Sequence, residues 1–487
     1  MVSGTLQPLP NELWAEIFAS LPHNALACVH LTSRLFAHIV KPFLFRALEF
    51  HPYVRLSGYR TVACPPSGLG LPRLEHIDSA RQRLSYWSSS DIAPLVRACS
   101  VTPWVVLGGM AYSAFSRADD PYVLLTGLFD ALPSFTHLCN LAFKGVHFTQ
   151  QHIGNLYLLP NLMALEVEYC SVVLGTAIDT TILAPLPITH FAFTHDASGD
   201  NMDHWVPLLP VDKLVHLRLQ LYGHVRLFDQ IQAGDDFTCV KSLQMPSLGS
   251  LSRPWTRILS KFPAVESLIL DQHFACDVPP HAPISDVLPS LREYQGPSTL
   301  LHFFLASPTL RHVDIPFWYT KFPTGNDVLA YFQGFVGPNR ITTLQAEFVQ
   351  FDHVFLAGLG IAFPNLAELH IKVLVRGNGE APFEADALFE AMAWHSRLTL
   401  NIRKFALSWK YLSSAKRTPV LGCPDVNELK DALVSQHPEL KVVWVDGLDT
   451  MYLWRKGHDV VQYTDDSAKA YPRAFVVRLL EVGLHSK

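Results

Sequence analysis

An apolar triplet, aliphatic-x-x-aliphatic-x-aliphatic, recurs along the middle of this chain at a nearly constant interval. Its first positions fall at 162, 188, 214, 240, 265 and 291, spaced by 26, 26, 26, 25 and 26 residues. The triplets read Leu162/Leu165/Val167, Ile188/Phe191/Phe193, Leu214/Leu217/Leu219, Val240/Leu243/Met245 and Val265/Leu268/Leu270. One triplet means little in a chain that is 49% hydrophobic. A constant interval means much more, because a unit this short cannot bury its own apolar face and has to stack on its neighbours. Further triplets follow at less regular spacing: Leu310/Val313/Ile315, Ile341/Leu344/Ala346, Leu366/Leu369/Ile371, Ile402/Phe405/Leu407 and Leu440/Val443/Val445.

Prolines repeat with the triplets. Pro160, Pro263, Pro289, Pro308, Pro364 and Pro438 each stand two residues before a first apolar position. A proline there stops a helix and leads into extended chain. Helix-like stretches precede the strands: TRILSKF and NELKDALVSQH run up to such prolines, and DALFEAMAWHS precedes the Ile402 triplet. Each unit therefore reads as helix, proline, short strand and turn, beginning near residue 133. This pattern resembles an irregular leucine-rich repeat, and the resemblance implies an α/β solenoid, a horseshoe whose parallel strands line the concave side. Cys170 alone falls where that family carries an Asn or Cys after the strand.

Side chains alternate along a strand, so the residues beside the apolar pairs face away from the core. On a solenoid they would line the concave face and form the candidate target-binding surface: Glu166, Glu168, His190, His216, Arg218, Gln220, Asp271, His312, Asp314, Glu347, Glu368, His370 and Lys372. The set is mixed in charge and rich in histidine, which suits a protein or peptide partner carrying both signs.

Ahead of the repeats, Leu9 to Val40 reads LPNELWAEIFASLPHNALACVHLTSRLFAHIV, three short amphipathic segments. Pro10 suits a helix start, Leu13, Ile17, Phe18 and Leu21 form one stripe, and Pro22 stops the first helix. Asn24 is an N-cap candidate for a second helix with Leu26 and Val29. Thr32 or Ser33 caps a third with Leu35, Phe36, Ile39 and Val40, ended by Pro42. The Leu-Pro-x-Glu-Leu start and the Ile17-Phe18 pair in register resemble an F-box. That resemblance implies docking on the Skp-family adaptor of a cullin-based ubiquitin ligase through Leu9, Pro10, Leu13, Ile17, Phe18, Leu21, Leu26, Val29 and Phe36. The expected organisation is an F-box-like module over 1–50, a connecting segment with poorly defined first repeats over 51–130, divergent repeats over 131–450 and a C-terminal cap over 451–487.

Chemistry is hard to find in this sequence. There is no H-E-x-x-H, no G-x-S-x-G and no glycine-rich phosphate loop. The 23 histidines show no metal-ligand spacing, so neither catalytic residue, metal nor cofactor is expected. Six tryptophans, Trp104, Trp205, Trp255, Trp318, Trp394 and Trp409, are spread out and read as packing. A net charge of −5 gives no basis for nucleic-acid binding. The eight cysteines lack a C-x-x-C pair and read as buried free thiols of a reducing compartment. No signal peptide or membrane span is apparent, and Val101 to Phe115 is too short to cross a bilayer. The expectation is a cytoplasmic or nuclear, non-enzymatic substrate receptor of a Skp–cullin–F-box ligase, with a repeat scaffold unrelated to ubiquitin as the alternative.

Overall fold

The structure, a computed structural model, describes residues 9–56, 69–72, 74–106, 115–116, 122–172, 185–195, 205–221, 234–246, 256–271, 288–305, 307–316, 340–348, 353–375, 401–411, 426–447 and 450–464. The chain divides into two compact units, Met1–Val240 and Lys241–Lys487.

The first unit opens with helices α1 (Asn11–Ala19), α2 (His23–His30) and α3 (Arg34–Leu44). Their apolar faces meet in one small core of Phe18, Leu26, Val40 and Leu44. Trp14 and Phe36 close it, with ring centroids 4.9 Å apart and each within 5.6 Å of Phe18. Ser33 caps α3, its Oγ accepting from Phe36 N at 3.1 Å. Three boundaries differ from the sequence expectation. α1 ends at Ala19 with Ser20 as its cap, so Pro22 does not stop it; Pro22 instead precedes α2, and Asn24 lies inside that helix. Pro42 does not end α3 but sits within it. Leu44, one turn beyond Val40, is buried in the core, and such burial is worth about 1.5–3 kcal/mol, comparable with the cost of an interior proline. His23 Nε2 donates to Leu44 O at 3.3 Å, satisfying a carbonyl of that last turn.

Behind α3 the chain runs straight into a parallel ladder: β1 (Ala47–Phe50), β2 (Ala98–Val101), β3 (Asn140–Lys144), β4 (Ala164–Glu168), β5 (His190–His195) and β6 (His216–Leu221). Equivalent triplet positions pair across it. Leu48, Cys99, Leu141, Leu165, Phe191 and Leu217 form one row and Phe50, Val101, Phe143, Val167, Phe193 and Leu219 the next. Every one of these side chains is buried. The ladder thus begins at Ala47, well before residue 133. Its first strands carry the same signature, Phe45/Leu48/Phe50, Val96/Cys99/Val101 and Leu138/Leu141/Phe143, but their first positions lie 51 and 42 residues apart, and Cys99 replaces an aliphatic. Helix α4 (Leu74–Trp87) lies between the first two of these strands, and α5 (Val123–Ala131) precedes the third.

After β3 and β4 the backbone turns through left-handed residues in matching places, Gly145 (φ 63°) and Tyr169 (φ 51°). Gly145 N donates to Glu168 O and Tyr169 N to Thr194 O, both at 2.7 Å. The buried Cys170 Sγ fills this corner, accepting from Val146 N at 3.4 Å and donating toward the Phe143 and Glu168 carbonyls at 3.4 and 3.3 Å. That is the work a post-strand Asn or Cys does when it satisfies the backbone of its neighbouring turn. Burial pushes the thiols of Cys170 and Cys99 up to about 12, which keeps them uncharged and unreactive. Cys28, by contrast, is exposed. Trp205 is buried, whereas Trp104 is 60% exposed and stands edge-on to His51. Trp255, Trp318 and Trp394 lie outside the described residues.

The second unit repeats the ladder with β7 (Ser242–Pro246), β8 (Ser267–Asp271), β9 (Glu293–Gln295), β10 (His312–Ile315), β11 (Thr343–Phe348), β12 (Glu368–Val375), β13 (Lys404–Tyr411) and β14 (Val442–Gly447). Leu243, Leu268, Tyr294, Val313, Leu344, Leu369, Phe405 and Val443 form a single buried row. The irregular sequence spacing after 291 therefore leaves the register intact. Strand β15 (Thr450–Arg455) pairs antiparallel with β14, β16 (Val461–Thr464) pairs antiparallel with β15, and the two occupy the start of the expected cap; the segment FVVRLLEVGLH lies outside the described residues. Of the helix-like stretches, TRILSKF contains a helix at Thr256–Leu259 and all of NELKDALVSQH but its final His lies in one at Val426–Gln436, while DALFEAMAWHS lies outside the described residues.

The recurrent prolines sit at the second position of a tight turn. In each case the carbonyl of the residue before the proline accepts from the first apolar N–H: Leu159 from Leu162, Phe262 from Val265, Leu288 from Leu291, Ser307 from Leu310, Phe363 from Leu366 and His437 from Leu440, at 2.9–3.4 Å. Proline's preset φ favours that position. All six residues before the prolines are buried, so the turn pins a core side chain on each side of itself.

Replacing Cys170 with Ala should leave the buried Val146 N–H without an acceptor and destabilise the chain by about 1–3 kcal/mol. A denaturant titration followed by circular dichroism, on variant and parent, reads this; an unshifted midpoint would remove the corner role assigned to Cys170.

Candidate functional site

The helical module exposes a strip of large apolar side chains. Leu9, Leu13 and Ile17 are each more than 40% exposed, and Leu31 and Leu35 are 84% and 51% exposed. Leu13 and Ile17 share one face of α1, four residues apart, and Pro10 at its start is exposed too. The nine residues named for adaptor docking therefore split. Leu9, Pro10, Leu13 and Ile17 face out. Phe18 and Leu26 are interior, at 3% and 5% exposure, and hold the helices together instead of meeting a partner. Leu21, Val29 and Phe36 are half-buried against that core. The stripe read from the sequence is wider than one helix face, and its inner edge goes to the module's own core.

On the ladders, all thirteen residues named for the target-binding face occupy outward positions, alternating with the buried rows. In the first unit they form small cross-strand groups. Lys144 Nζ meets Glu168 Oε1 at 2.7 Å, and Thr194 Oγ1 donates to Gln220 Oε1 at 3.2 Å. His190 and His216 stack with centroids 4.2 Å apart and planes 17° apart. Desolvation, and then the neighbouring His216, hold the His190 imidazole below its ordinary pKa. Glu166 and Arg218 lie in the same row, separated by Ala192.

The second unit gathers a denser polar cluster. Register places Gln295, Asp314, Gln345, His370, Ala406 and Trp444 in one outward row. Glu347, Lys372 and Ser408 lie in the row beside it. Lys372 pairs with Glu347, and Lys404 with Glu368 at 2.8 Å. His370 is held on both nitrogens, Nδ1 by Gln345 Oε1 at 3.1 Å and Nε2 by Ser408 Oγ at 3.3 Å. Burial, and then the Lys372 ammonium, push its pKa down to about 4, so it stays neutral. Asp314 is the outlier. Its Oδ1 is buried and has no hydrogen-bond donor. Burial and the Glu347 charge push its pKa up to about 7 against the milder pull of Lys372 and Gln345. Trp444, 93% buried, leaves its indole N–H without an acceptor while its ring lies 5.5 Å from that of His370.

Gln345, Lys404, Ser408 and Trp444 belong to this cluster and were missed from sequence. Each stands at an outward position beside a residue of a named triplet, so the alternation could have found them. Asp271 lies elsewhere on the same ladder and accepts from Gln244 Nε2 at 2.9 Å. Among the described residues no group of three or more His, Cys, Asp or Glu could hold a metal ion, and no helix is long and apolar enough to cross a membrane.

The sign of the Asp314 shift sets a stability window. Its folded pKa lies above the unfolded value, so the folded chain keeps a proton that the unfolded chain loses between about pH 4 and pH 7, and stability falls as pH rises through that range. His370 works oppositely, losing stability as pH drops from about 6.5 to about 4. Asp314→Asn should therefore stabilise the chain at pH 8 by on the order of 2–4 kcal/mol and change it little at pH 4. Denaturant midpoints at the two pH values check this, and equal shifts at both would contradict it.

No protein-family model matches the chain, and no curated protein matches it. A crystal structure of a TLR13–ssRNA13 complex is similar over 74% of this chain, with 14% identity and a TM-score of 0.35. The match spans about half of that chain, 52% of its length. The fold described above rests on the strand register and not on this likeness.

Proposed function

We propose that this chain is a non-catalytic substrate receptor of a Skp–cullin–F-box ubiquitin ligase, working in the cytosol or nucleus. The observation carrying this reading is the exposed Leu9, Pro10, Leu13 and Ile17 on a module that already has its own core. Such a strip is costly to leave in water and suits a complementary apolar groove on an adaptor. The outward positions of the ladders would hold the target protein. The chain itself would break no bond; holding adaptor and target on one polypeptide raises the local concentration of target lysines at the ligase.

A second reading is a repeat scaffold with no link to ubiquitin, in which the helices cap the first strand. It is favoured by the ladder starting only three residues after α3, and by Phe45 packing edge-on against Tyr86 and Trp87 of α4, with centroids 5.8 and 5.3 Å away.

The double variant Leu13→Asp with Ile17→Asp separates the two readings, since it spares the core residues Phe18 and Leu26. Removing two exposed apolar contacts of about 1.5–3 kcal/mol each should lower adaptor affinity by on the order of 100-fold or more. Co-purification with a Skp-family adaptor reads this, with an unchanged circular-dichroism melt as the folding check. Full capture of the adaptor by the folded double variant, or none by the parent, would leave only the scaffold reading.

A further inference from the structure

Each parallel strand of the second unit is entered through one residue standing just ahead of it, and backbone bonds join these residues into a single rim. In order they are Lys241, Glu266, Arg292, Arg311, Thr342, Ala367, Arg403 and Lys441, followed by Lys456 at the end of β15. Each after the first donates its N–H to the carbonyl of the one before, at 2.7–2.9 Å. Lys241, Arg292, Arg311, Arg403, Lys441 and Lys456 make this rim basic in a chain whose net charge is −5. The equivalent residues of the first unit, Arg46, Arg97, Cys139, Met163, Thr189 and Val215, turn uncharged after the second. Glu266 is the one acid of the rim, and Lys241 and Arg292 share it at 3.5 and 3.6 Å. The other cations have no carboxylate partner among the described residues, and the exposed Glu293 and Glu439 that flank the rim form no ion pair with it.

Two arginines converge at Pro308. Arg311 Nη1 donates to Pro308 O at 3.1 Å and to Leu310 O at 2.9 Å, and Arg340 Nη1 donates to the same Pro308 O at 3.2 Å. A guanidinium carries five donors, so both groups keep most of theirs unused. Two like charges held around one carbonyl repel until an anion joins them. Arg340 is exposed and Arg311 half-buried. Farther along the rim, Arg403 and Lys441 are adjacent and exposed, and their side chains make no hydrogen bond or ion pair among the described residues. Lys456 beside them donates to Pro438 O at 2.9 Å.

We propose that this rim receives an acidic segment of the target protein, its carboxylates seated in two places, one against Arg311 and Arg340 and the other against Arg403 and Lys441. Charge complementarity selects the occupant, and carboxylates match the forked donors of guanidinium groups. Thr342 and Ala367 separate the two places. Neighbouring strands lie about 4.8 Å apart, so Arg311 and Arg403 are about 14 Å apart along the rim, the reach of about four residues of extended peptide. A segment with two acidic pairs and a short uncharged stretch between them fits that spacing. A nucleic-acid strand fits it less well, because its charges continue over Thr342 and Ala367 and because single strands are held by aromatic side chains on which bases stack, and the rim row has none. The inference rests on the receptor reading above for its target and deepens that half of it, without involving the adaptor-facing helices.

The test uses the full chain and the fluorescein-labelled peptide Glu-Glu-Gly-Ser-Gly-Glu-Glu, with Lys in place of every Glu as the control, read by fluorescence anisotropy at low salt. The expected result is saturable binding of the Glu peptide, at least about tenfold tighter than the Lys peptide and weakened by added salt. Arg311→Gln with Arg340→Gln should weaken it about fivefold or more, and so should Arg403→Gln with Lys441→Gln. The second pair decides the matter if the first disturbs the fold, since the side chains of Arg403 and Lys441 hold nothing else in place; circular-dichroism melts check both. Arg46→Gln with Arg97→Gln, on the first-unit rim, should change nothing. Absence of binding, equal binding of the two peptides, or folded second-unit variants that bind like the parent would overturn the proposal. Tighter binding of a labelled single-stranded oligonucleotide of equal charge than of the Glu peptide would overturn the assignment of a polypeptide partner. Adaptor co-purification, measured on the same variants, should be unaffected, so failure here is distinguishable from failure of the ligase reading.

Discussion

Strand-to-strand register is the constraint on which everything else in this molecule depends. Each ladder strand contributes two inward side chains, and the parallel pairing sets each of them against its equivalent in the next unit. Leu165 meets Leu141 and Phe191, and Leu369 meets Leu344 and Phe405. A one-residue slip in any strand would put Glu166 or His370 into the core and Leu165 or Leu369 into water. The cost of that exchange keeps the row in step even where insertions stretch a unit far beyond its usual length. The proline turns serve the same end, since each holds a buried residue on one side and the first apolar position of the strand on the other.

The same alternation creates the polar face. Once the inner rows are in place, the residues between them must line up in rows as well. In the second unit this brings Asp314, Gln345 and His370 side by side from three strands separated by many residues in sequence. Most of the resulting groups find partners across the strands. Asp314 does so only in part: Gln345 bonds its carboxyl, but Oδ1 is buried without a donor, and burial with the Glu347 charge raises its pKa.

The helical module solves a different problem. It is too small to build an extended core, so it spends its aromatic residues, Trp14, Phe18 and Phe36, on a compact interior. The leucines and isoleucine on the other side of α1 remain in water. Interior and exposed residues alternate along one short segment, which is why motif matching alone assigned them all to a partner.

What the sequence determined by itself was the row of inward triplets and the outward residues between them, because period-two alternation and a fixed interval need no tertiary information. The early strands at Ala47, Ala98 and Asn140 carry the same signature. Their uneven spacing hid it, since an interval can be recognised only where inserted segments do not vary. Tertiary structure decided the rest: that Phe18 and Leu26 belong to a core, that α3 continues through Pro42 because Leu44 is buried beyond it, and that one oxygen of Asp314 is buried without a donor. Each of these depends on which side chains from distant segments share a space, and the pairings that settle it, Val40 and Leu44 with Phe18, or Lys372 with Glu347, exist only once the chain has folded.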